Sequence, residues 1–596
     1  MTDRSTTPDL EVPILIVGGG AAGLTASMLL SQLGVETLLI NAWADTSRLP
    51  KAHLLNQRTM EILRGVGADA MVYERGTPPE QMAYTAWYAG LRGDDPDSGR
   101  QYGRMESWGR GGTNPAWAAA SPCRQTNLPQ IRLEPLLRQH AEELGPDRVR
   151  FGHEAIAIGQ DADGVTTTVH DKATGTEYRV RSRFLLGCDG GRTVGPSIGV
   201  TMDGVRDLAR MVTMHLTADL SEWARDPDVL IRWMQAPHVG LGVVMAPLGP
   251  DHWGPESEEW VCHVNYLSDD TRALDDDAVV ADMRAALGLP DHEIDVHVVS
   301  RWSVEGVLAD KFQDGRIFLL GDAAHRHPPT GGLGLNSAIQ DAHNISWKLA
   351  AVLAGQADED LLSTYEPERR VTTARNVQRS LDNTISHLTA TALLGISPEA
   401  GGEENWAAMR RLWSDRDEDA ELQSAMRRAI ANQSMEFDEL NVEYGYTYDS
   451  SAIVADGSPE RHNPDPIRLY QPGTRPGEPL PHAWLEDFTG HRLPVMDLVQ
   501  AGHFLLIAGE QGHDWVEAAQ KVATDLGVTL DAVRIGHLDG DYFDPNSTWA
   551  RNREITDRGA ILVRPDRFVA WRTSAESTDP AAEITNALTR ILARTA

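Results

Sequence analysis

Apolar residues near the start of the chain fall in short unbroken runs bounded by glycine. Pro13-Ile-Leu-Ile-Val17 predicts a buried strand, Leu24 to Leu33 a helix closed by Gly34, and Val35 to Ile40 a second strand. Leu128-Pro-Gln-Ile-Arg-Leu-Glu-Pro135 leads into a helix reaching about Leu144, and strands are expected at 165–170 and 177–187. Residues 200–300 read mainly as strands broken by turns, at 210–217, 229–234, 240–247, 259–266 and 295–302, with one amphipathic helix near 276–287. Arg316-Ile-Phe-Leu-Leu-Gly321 is another strand. The helix after it carries Ile339, Ala342, Ile345, Leu349 and Val352 on one face, and Asn336 or Ser337 can cap it.

Residues 355–460 read as mostly helical and acidic, and the six prolines between Pro464 and Pro481 read as a linker. Beyond it strands and helices alternate again: 504–507, a helix at 514–525, 532–535, 560–563, 568–571 and a last helix at 580–594. The glycine-rich stretch 88–115 is too long for a routine connection, so it is expected to be a lid or a disordered excursion.

Composition narrows the class. The 596 residues suffice for about three domains. No apolar run is long enough to span a bilayer, and the opening MTDRSTTPDLEVP lacks the pattern of a secretory leader. Lys and Arg number 54 against 87 Asp and Glu, a net charge of −33. So acidic a surface repels phosphate backbones and anionic lipid, which excludes nucleic acid and membranes as partners. The three cysteines, Cys123, Cys188 and Cys262, have no CxxC spacing, so a reducing cytoplasm fits and a cysteine zinc site does not.

The first strand, helix and second strand enclose Gly18-Gly-Gly20-Ala-Ala22-Gly23, the Gly-x-Gly-x-x-Gly of a dinucleotide-binding βαβ unit. Gly18 permits the tight turn, Gly20 lets backbone approach a pyrophosphate, and Gly23 lets helix pack on strand. The helix N-terminus offers N–H groups and a positive dipole end to the phosphates. Asn41 stands where an acid usually binds the ribose, with Asp45 four residues on, so the ribose ligand is left open. Two further motifs follow strands: Cys188-Asp189-Gly190, and Gly321-Asp322-Ala-Ala-His325 running through Pro328-Pro329 to Gly331-Gly332-Leu-Gly334-Leu335-Asn336.

These three motifs, in this order over roughly residues 12–380, resemble the single-component flavoprotein aromatic hydroxylases. Pro50-Lys-Ala-His-Leu-Leu-Asn-Gln-Arg58 and Arg326-His-Pro-Pro329 resemble the branch that contains dichlorophenol and 2-hydroxybiphenyl monooxygenases. The resemblance implies an α/β fold: a Rossmann-like FAD-binding domain in two pieces (1–196 and 300–390), and an inserted mixed β-sheet substrate domain (197–299). A mainly helical connection (391–465) and a thioredoxin-like domain without cysteine (466–596) complete it. It further implies FAD, NADH or NADPH as co-substrate, O2, and ortho-hydroxylation of a phenolic substrate through a flavin C4a-hydroperoxide. A homodimer or homotetramer is the family expectation.

Residue by residue, the resemblance assigns Gly18, Gly20, Ala22 and Gly23 to the pyrophosphate, Arg58 to the FAD phosphates or ribityl chain, Gln130 to the flavin chain and Asp322 to a ribityl hydroxyl. Gly321, Pro329, Gly332, Gly334, Leu335 and Asn336 fall beside the flavin, and Asp189 falls in a motif touching both FAD and nicotinamide. His53 matches the position that faces the substrate hydroxyl, where an imidazole with a pKa of ~6.5 can take a phenol proton; otherwise it is a surface histidine. His327 and Pro328 fall on the substrate side, and His325-x-His327 is read as flavin motif rather than a metal pair. Trp233 resembles a position that lines the pocket or gates the nicotinamide; otherwise it packs the core. Residues 201–300 hold six arginines, no lysine and 19 acids, which favours an uncharged phenol, with Arg232 the candidate clamp for an anion. The alternatives are a polyketide tailoring hydroxylase of the same chemistry and a flavin-binding regulatory protein without turnover.

Overall fold

A computed structural model describes residues 8–266, 272 and 275–595. Residues 1–7, part of the stretch inspected for a leader, lie outside the described residues. The strands Leu10–Val17 and Thr37–Asn41 flank the helix Ala21–Gln32 as the apolar pattern predicts. Leu10–Val17 pairs in parallel with Thr37–Asn41 on one side and Thr176–Gly187 on the other, and Thr176–Gly187 pairs with Ile317–Leu319. This parallel sheet has its carboxyl ends at Val17, Gly187 and Leu319, so all three glycine motifs gather on one edge. That edge is where open α/β sheets bind nucleotides.

The middle sheet has eight strands, in the order His325–Arg326, Asp295–Ala309, Met202–Thr217, Glu259–Tyr266, Leu241–Gly249, Val229–Ala236, Tyr84–Ala89, Gln101–Glu106. It therefore draws on more chain than the expected interval 197–299. The glycine-rich stretch begins at the end of Tyr84–Ala89 and contains Gln101–Glu106, which pairs antiparallel with it, so 88–115 is neither a lid nor a disordered excursion. Its glycines serve the tight turns between short elements; Gly109 and Gly111 hold positive φ, where a side chain would strain the backbone. One face of the sheet buries Val212, Met214, Trp260 and Cys262 against the helix Asp276–Leu287. The other turns toward the FAD-binding domain, where Ala246, Leu248 and Val261 meet Ile131.

The C-terminal domain joins strand Phe504–Ala508, helix His513–Leu526 and parallel strand Leu530–Gly536 to the antiparallel pair Ala560–Val563 and Val569–Thr573, then helix Pro580–Ile591. That is the thioredoxin order, and it holds none of the three cysteines. Its inner face shares one core with the FAD-binding domain, Phe504 packing edge-on to Trp347. The expected linker is strapped down: Gly477 N donates to Val569 O and Val569 N to Glu478 O. Among the described residues no helix is long and apolar enough to cross a membrane.

Between these two domains lies a closed charge network. The Glu368 carboxylate accepts from Arg564 Nη1 at 2.6 Å, Lys348 Nζ at 2.8 Å and Asn344 Nδ2 at 2.7 Å, and none of the three charged side chains touches solvent. Burial alone would raise the Glu368 pKa, but Arg564 and Lys348 hold it below the ordinary carboxylate range. Replacing one partner strands the others, which costs about 3–5 kcal/mol. Glu368→Gln is thus expected to lower the midpoint of a thermal or urea melt. The depressed pKa makes the contribution fully present above the ordinary carboxylate pKa and lost as pH falls through the lower folded value. The gap between wild type and variant should therefore close only in acid below that range.

Candidate active site

The first glycine turn is shaped by close approach. Gly18 sits at φ +119°, and a Cβ there would lie 2.1 Å from Cys188 O; a Cβ on Gly23 would lie 2.0 Å from Gly18 O. A Cβ on Gly20 would meet only Glu134 Oε1 within 4 Å, at 3.4 Å, so this position has room for a phosphate to come near. Ala22 lies buried in the first helical turn, which contains no acid. Asn41 Oδ1 accepts from Gly19 N at 3.2 Å and braces the turn. Glu134, which the sequence reading missed, stands against Gly20 on the other side, and it is held there by accepting from Ser47 N at 2.8 Å and from Gln130 Nε2 at 2.5 Å. Gln130 therefore reaches the turn through Glu134. The pairing spans 87 residues, and no local spacing announces it.

Three expected cofactor contacts are spoken for by the protein itself. Arg58 is buried, ion-paired to Glu61 at 2.8 Å, donates to Asp566 O and lies over the Phe568 ring. It ties the FAD-binding domain to the C-terminal domain and is not free to hold a phosphate. Asp189 accepts from the backbone N–H of Gly191, Thr193 and Val194, folding its own turn. Asn336 accepts from Asn56 N at 3.0 Å and donates to Leu54 O and Gly332 O. In each case motif membership located the residue, but its side chain points into the scaffold.

The remaining residues fit FAD. Asp322 is exposed at the end of strand Ile317–Leu319, and Gly321 turns there at φ +59° with its N–H on Asp341 Oδ2. The helix Leu333–Leu353 begins at Gly332 in the left-handed region with no side-chain cap, so its first N–H groups are unclaimed by side chains. A helix N-terminus of this kind stabilises an anion, which the reduced flavin is. Gly334 keeps the approach open beneath His327, and Leu335 packs below it. Pro328 is buried and Pro329 exposed at the rim. Both ring nitrogens of His327 are buried without a partner, and burial drives its pKa well below the usual imidazole value. Behind it His325 Nε2 meets Asp341 Oδ2 at 2.7 Å, and Arg369 closes the set on Asp341 Oδ1. Among the described residues no group of three or more His, Cys, Asp or Glu could hold a metal ion.

His53 is held on a two-stranded ladder in which Leu54–Leu55 pairs with Thr126–Asn127. Its Nδ1 lies 2.5 Å from Asn127 Oδ1. Asn127 Nδ2 donates to Thr77 Oγ1 at 2.7 Å, so the amide oxygen is the group turned to His53 and must accept. The proton of neutral His53 is thereby placed on Nδ1, and Nε2 keeps its lone pair. Burial lowers its pKa, more than the Asn127 contact raises it. The lowered pKa leaves the ring neutral near pH 7, and the side chain is half-buried rather than on the open surface.

The middle sheet turns aromatic side chains to the same side. Trp233 donates its N–H to Thr85 Oγ1 at 2.9 Å, stacks on His387 at 3.9 Å and belongs with Trp87 and Phe437 to one apolar cluster. It is half-buried, so it packs this wall without leaving it. Arg232 points to the opposite face and spends its guanidinium on Val229 O, Ala224 O and Asp226 O. It cannot clamp an anionic substrate.

Two glycine turns for a dinucleotide, set against a buried neutral imidazole and an aromatic wall, describe a flavoprotein that acts on rings. The chain belongs to the FAD-dependent aromatic-ring hydroxylases. The FAD binding domain family matches residues 11–380, and the aromatic-ring hydroxylase C-terminal family matches residues 473–595. The chain is 35% identical to the 2,4-dichlorophenol 6-monooxygenase of Delftia acidovorans, over 99% of this chain and 100% of that one. It is 34% identical to the tetracenomycin A2 monooxygenase-dioxygenase of Streptomyces glaucescens, over 98% and 97%. The flavin-dependent monooxygenase PieE, solved with FAD and substrate, superposes with a TM-score of 0.91 at 37% identity, covering 99% of this chain and 100% of PieE. The protein is an FAD-dependent monooxygenase that uses NAD(P)H and O2.

Gly18→Ala places a methyl group 2.1 Å from Cys188 O, where backbone must move. The variant is expected to purify with little or no FAD, and its FAD affinity measured by fluorescence quenching should fall by about a hundredfold or more, roughly 3 kcal/mol.

Proposed function

We propose that the protein ortho-hydroxylates a neutral phenolic substrate, with His53 as the base that takes the phenol proton. The observation that carries this reading is the His53–Asn127 pair: a half-buried imidazole whose Nε2 lone pair is left free by the bond at Nδ1. The bound FAD, reduced by NADH or NADPH, supplies the oxygen-transfer chemistry with O2. The chain's own work is to orient the ring, exclude water and move one proton. His53 Nε2 accepts the phenol proton, and the resulting imidazolium keeps its Nδ1–H on Asn127. The phenolate oxygen pushes electron density into the ring, which raises the nucleophilicity of the ortho carbon. His327, beside the buried Pro328, has no charge to offer an anion. With Arg232 turned away, nothing at the wall favours a carboxylate. The acidic surface and three unpaired thiols suit a reducing cytoplasm, and a homodimer or homotetramer is the proposed assembly.

A second reading, hydroxylation of a fused-ring polyketide, draws support from the full-length likeness to the tetracenomycin enzyme. A size series from monocyclic phenols to fused polycycles, scored by stimulated NAD(P)H oxidation, separates the two. A flavin-binding regulator without turnover leaves the His53–Asn127 arrangement without a use, and phenol-independent bleaching would instead mark a simple reductase.

His53→Ala is expected to lower kcat/KM for the preferred phenol by about 10²–10⁴-fold. The loss should shrink as pH rises toward the phenol's own pKa, where solvent supplies the phenolate. In wild type the base must be unprotonated; its lowered pKa keeps the rate level down to a pH below the ordinary histidine value before it falls. An unchanged rate and pH profile in the alanine variant would sink the assignment.

A further inference from the structure

The pocket side of the middle sheet carries a second histidine that the reading above leaves unused. On Glu259–Tyr266, His263 alternates with Trp260, Cys262 and Val264, which fill the far core. Its ring therefore emerges on the Val261 side, the face turned to Ile131 and the FAD-binding domain. Of the titratable groups, His53 is the one whose charge acts on the His263 ring. Next along the same face, Glu259 is already taken by His215 and Arg132, and His297 packs on His215.

The tautomer of His263 is set from behind. Trp302 Nε1, which can only donate, donates to Thr213 Oγ1 at 2.9 Å. Among the described residues the Thr213 hydroxyl has no acceptor other than His263 Nδ1, 2.8 Å away, so its proton is donated there. A neutral imidazole that accepts at Nδ1 carries its proton on Nε2. Burial pushes the His263 pKa down to about 3, so the ring cannot store a second proton. His53 is fixed in the opposite sense, with a lone pair on Nε2. One face of the pocket thus offers an acceptor and the other a donor that cannot become an acid.

We propose that His263 Nε2–H donates a hydrogen bond to the substrate's phenol oxygen and holds the phenolate that His53 generates. The proposal rests on the phenol reading. In the step, the phenol O–H bond breaks and the His53 Nε2–H bond forms. The oxygen retains the electron pair, and His263 donates to it without giving up its proton. The Trp302–Thr213–His263 chain is then a specificity device: it rewards an oxygen that gains charge.

The test is the ionisation of 4-nitrophenol bound to FAD-loaded enzyme without nicotinamide, followed by the difference spectrum of its anion against pH. His263→Leu is expected to weaken ionisation of the bound probe about tenfold, one pKa unit. His263→Gln, which keeps an N–H near the Nε2 position, should titrate close to wild type. Thr213→Val, which frees the tautomer, should fall between. Retained FAD absorbance shows that a variant has folded, and the glutamine and valine variants carry the test if the leucine variant does not. A wild type that binds no phenol overturns the phenol reading and this proposal with it. Binding in wild type with the same probe pKa in the leucine variant, or in the valine variant should the leucine variant not fold, overturns this proposal alone.

Discussion

The hydrogen bond between His53 and Asn127 is the constraint on which the site depends. In a pocket shielded from water, a base must be neutral and must present its lone pair in one direction. Burial secures the first condition and Asn127 the second. The bond exists because Leu54–Leu55 and Thr126–Asn127 form a short ladder, and the ladder is held in turn by Asn336. Asn336 also grips Gly332 O at the start of helix Leu333–Leu353. His53 and the N-terminus of helix Leu333–Leu353 are therefore fixed relative to each other by one amide.

Around this centre the domains are not separable units. The C-terminal domain lends Phe504 to the FAD-binding domain's core and Asp566 O to Arg58, and its Arg564 completes the buried set on Glu368. A thioredoxin order without cysteine is thus used as a wall. The net charge of −33 belongs to the surface; inside, Arg58, Arg369, Arg564 and Lys348 are matched to acids, and the cofactor edge relies on helix N-termini.

Much of the fold was legible in the chain. Short apolar runs mark the parallel strands, and the glycine spacing locates the nucleotide edge, because both are consequences of local sterics. Direction was not legible. Arg58, Asp189 and Asn336 lie in motifs that reach the cofactor, yet each spends its polar atoms on backbone or on Glu61. Asn127 and Glu134 carry more of the site than their neighbours, but they act across 74 and 87 residues. The glycine-rich 88–115 looked unstructured because its one full strand, Gln101–Glu106, is short and pairs with Tyr84–Ala89, which is itself anchored on the distant Val229–Ala236.

The central claim is that His53 is a neutral base with its proton on Nδ1. Nitrogen-15 histidine spectra of the FAD-loaded enzyme, with His53 assigned by comparison with His53→Ala, test it directly. At neutral pH the account predicts a protonated Nδ1 and an unprotonated Nε2. An imidazolium, or a proton on Nε2, would contradict it.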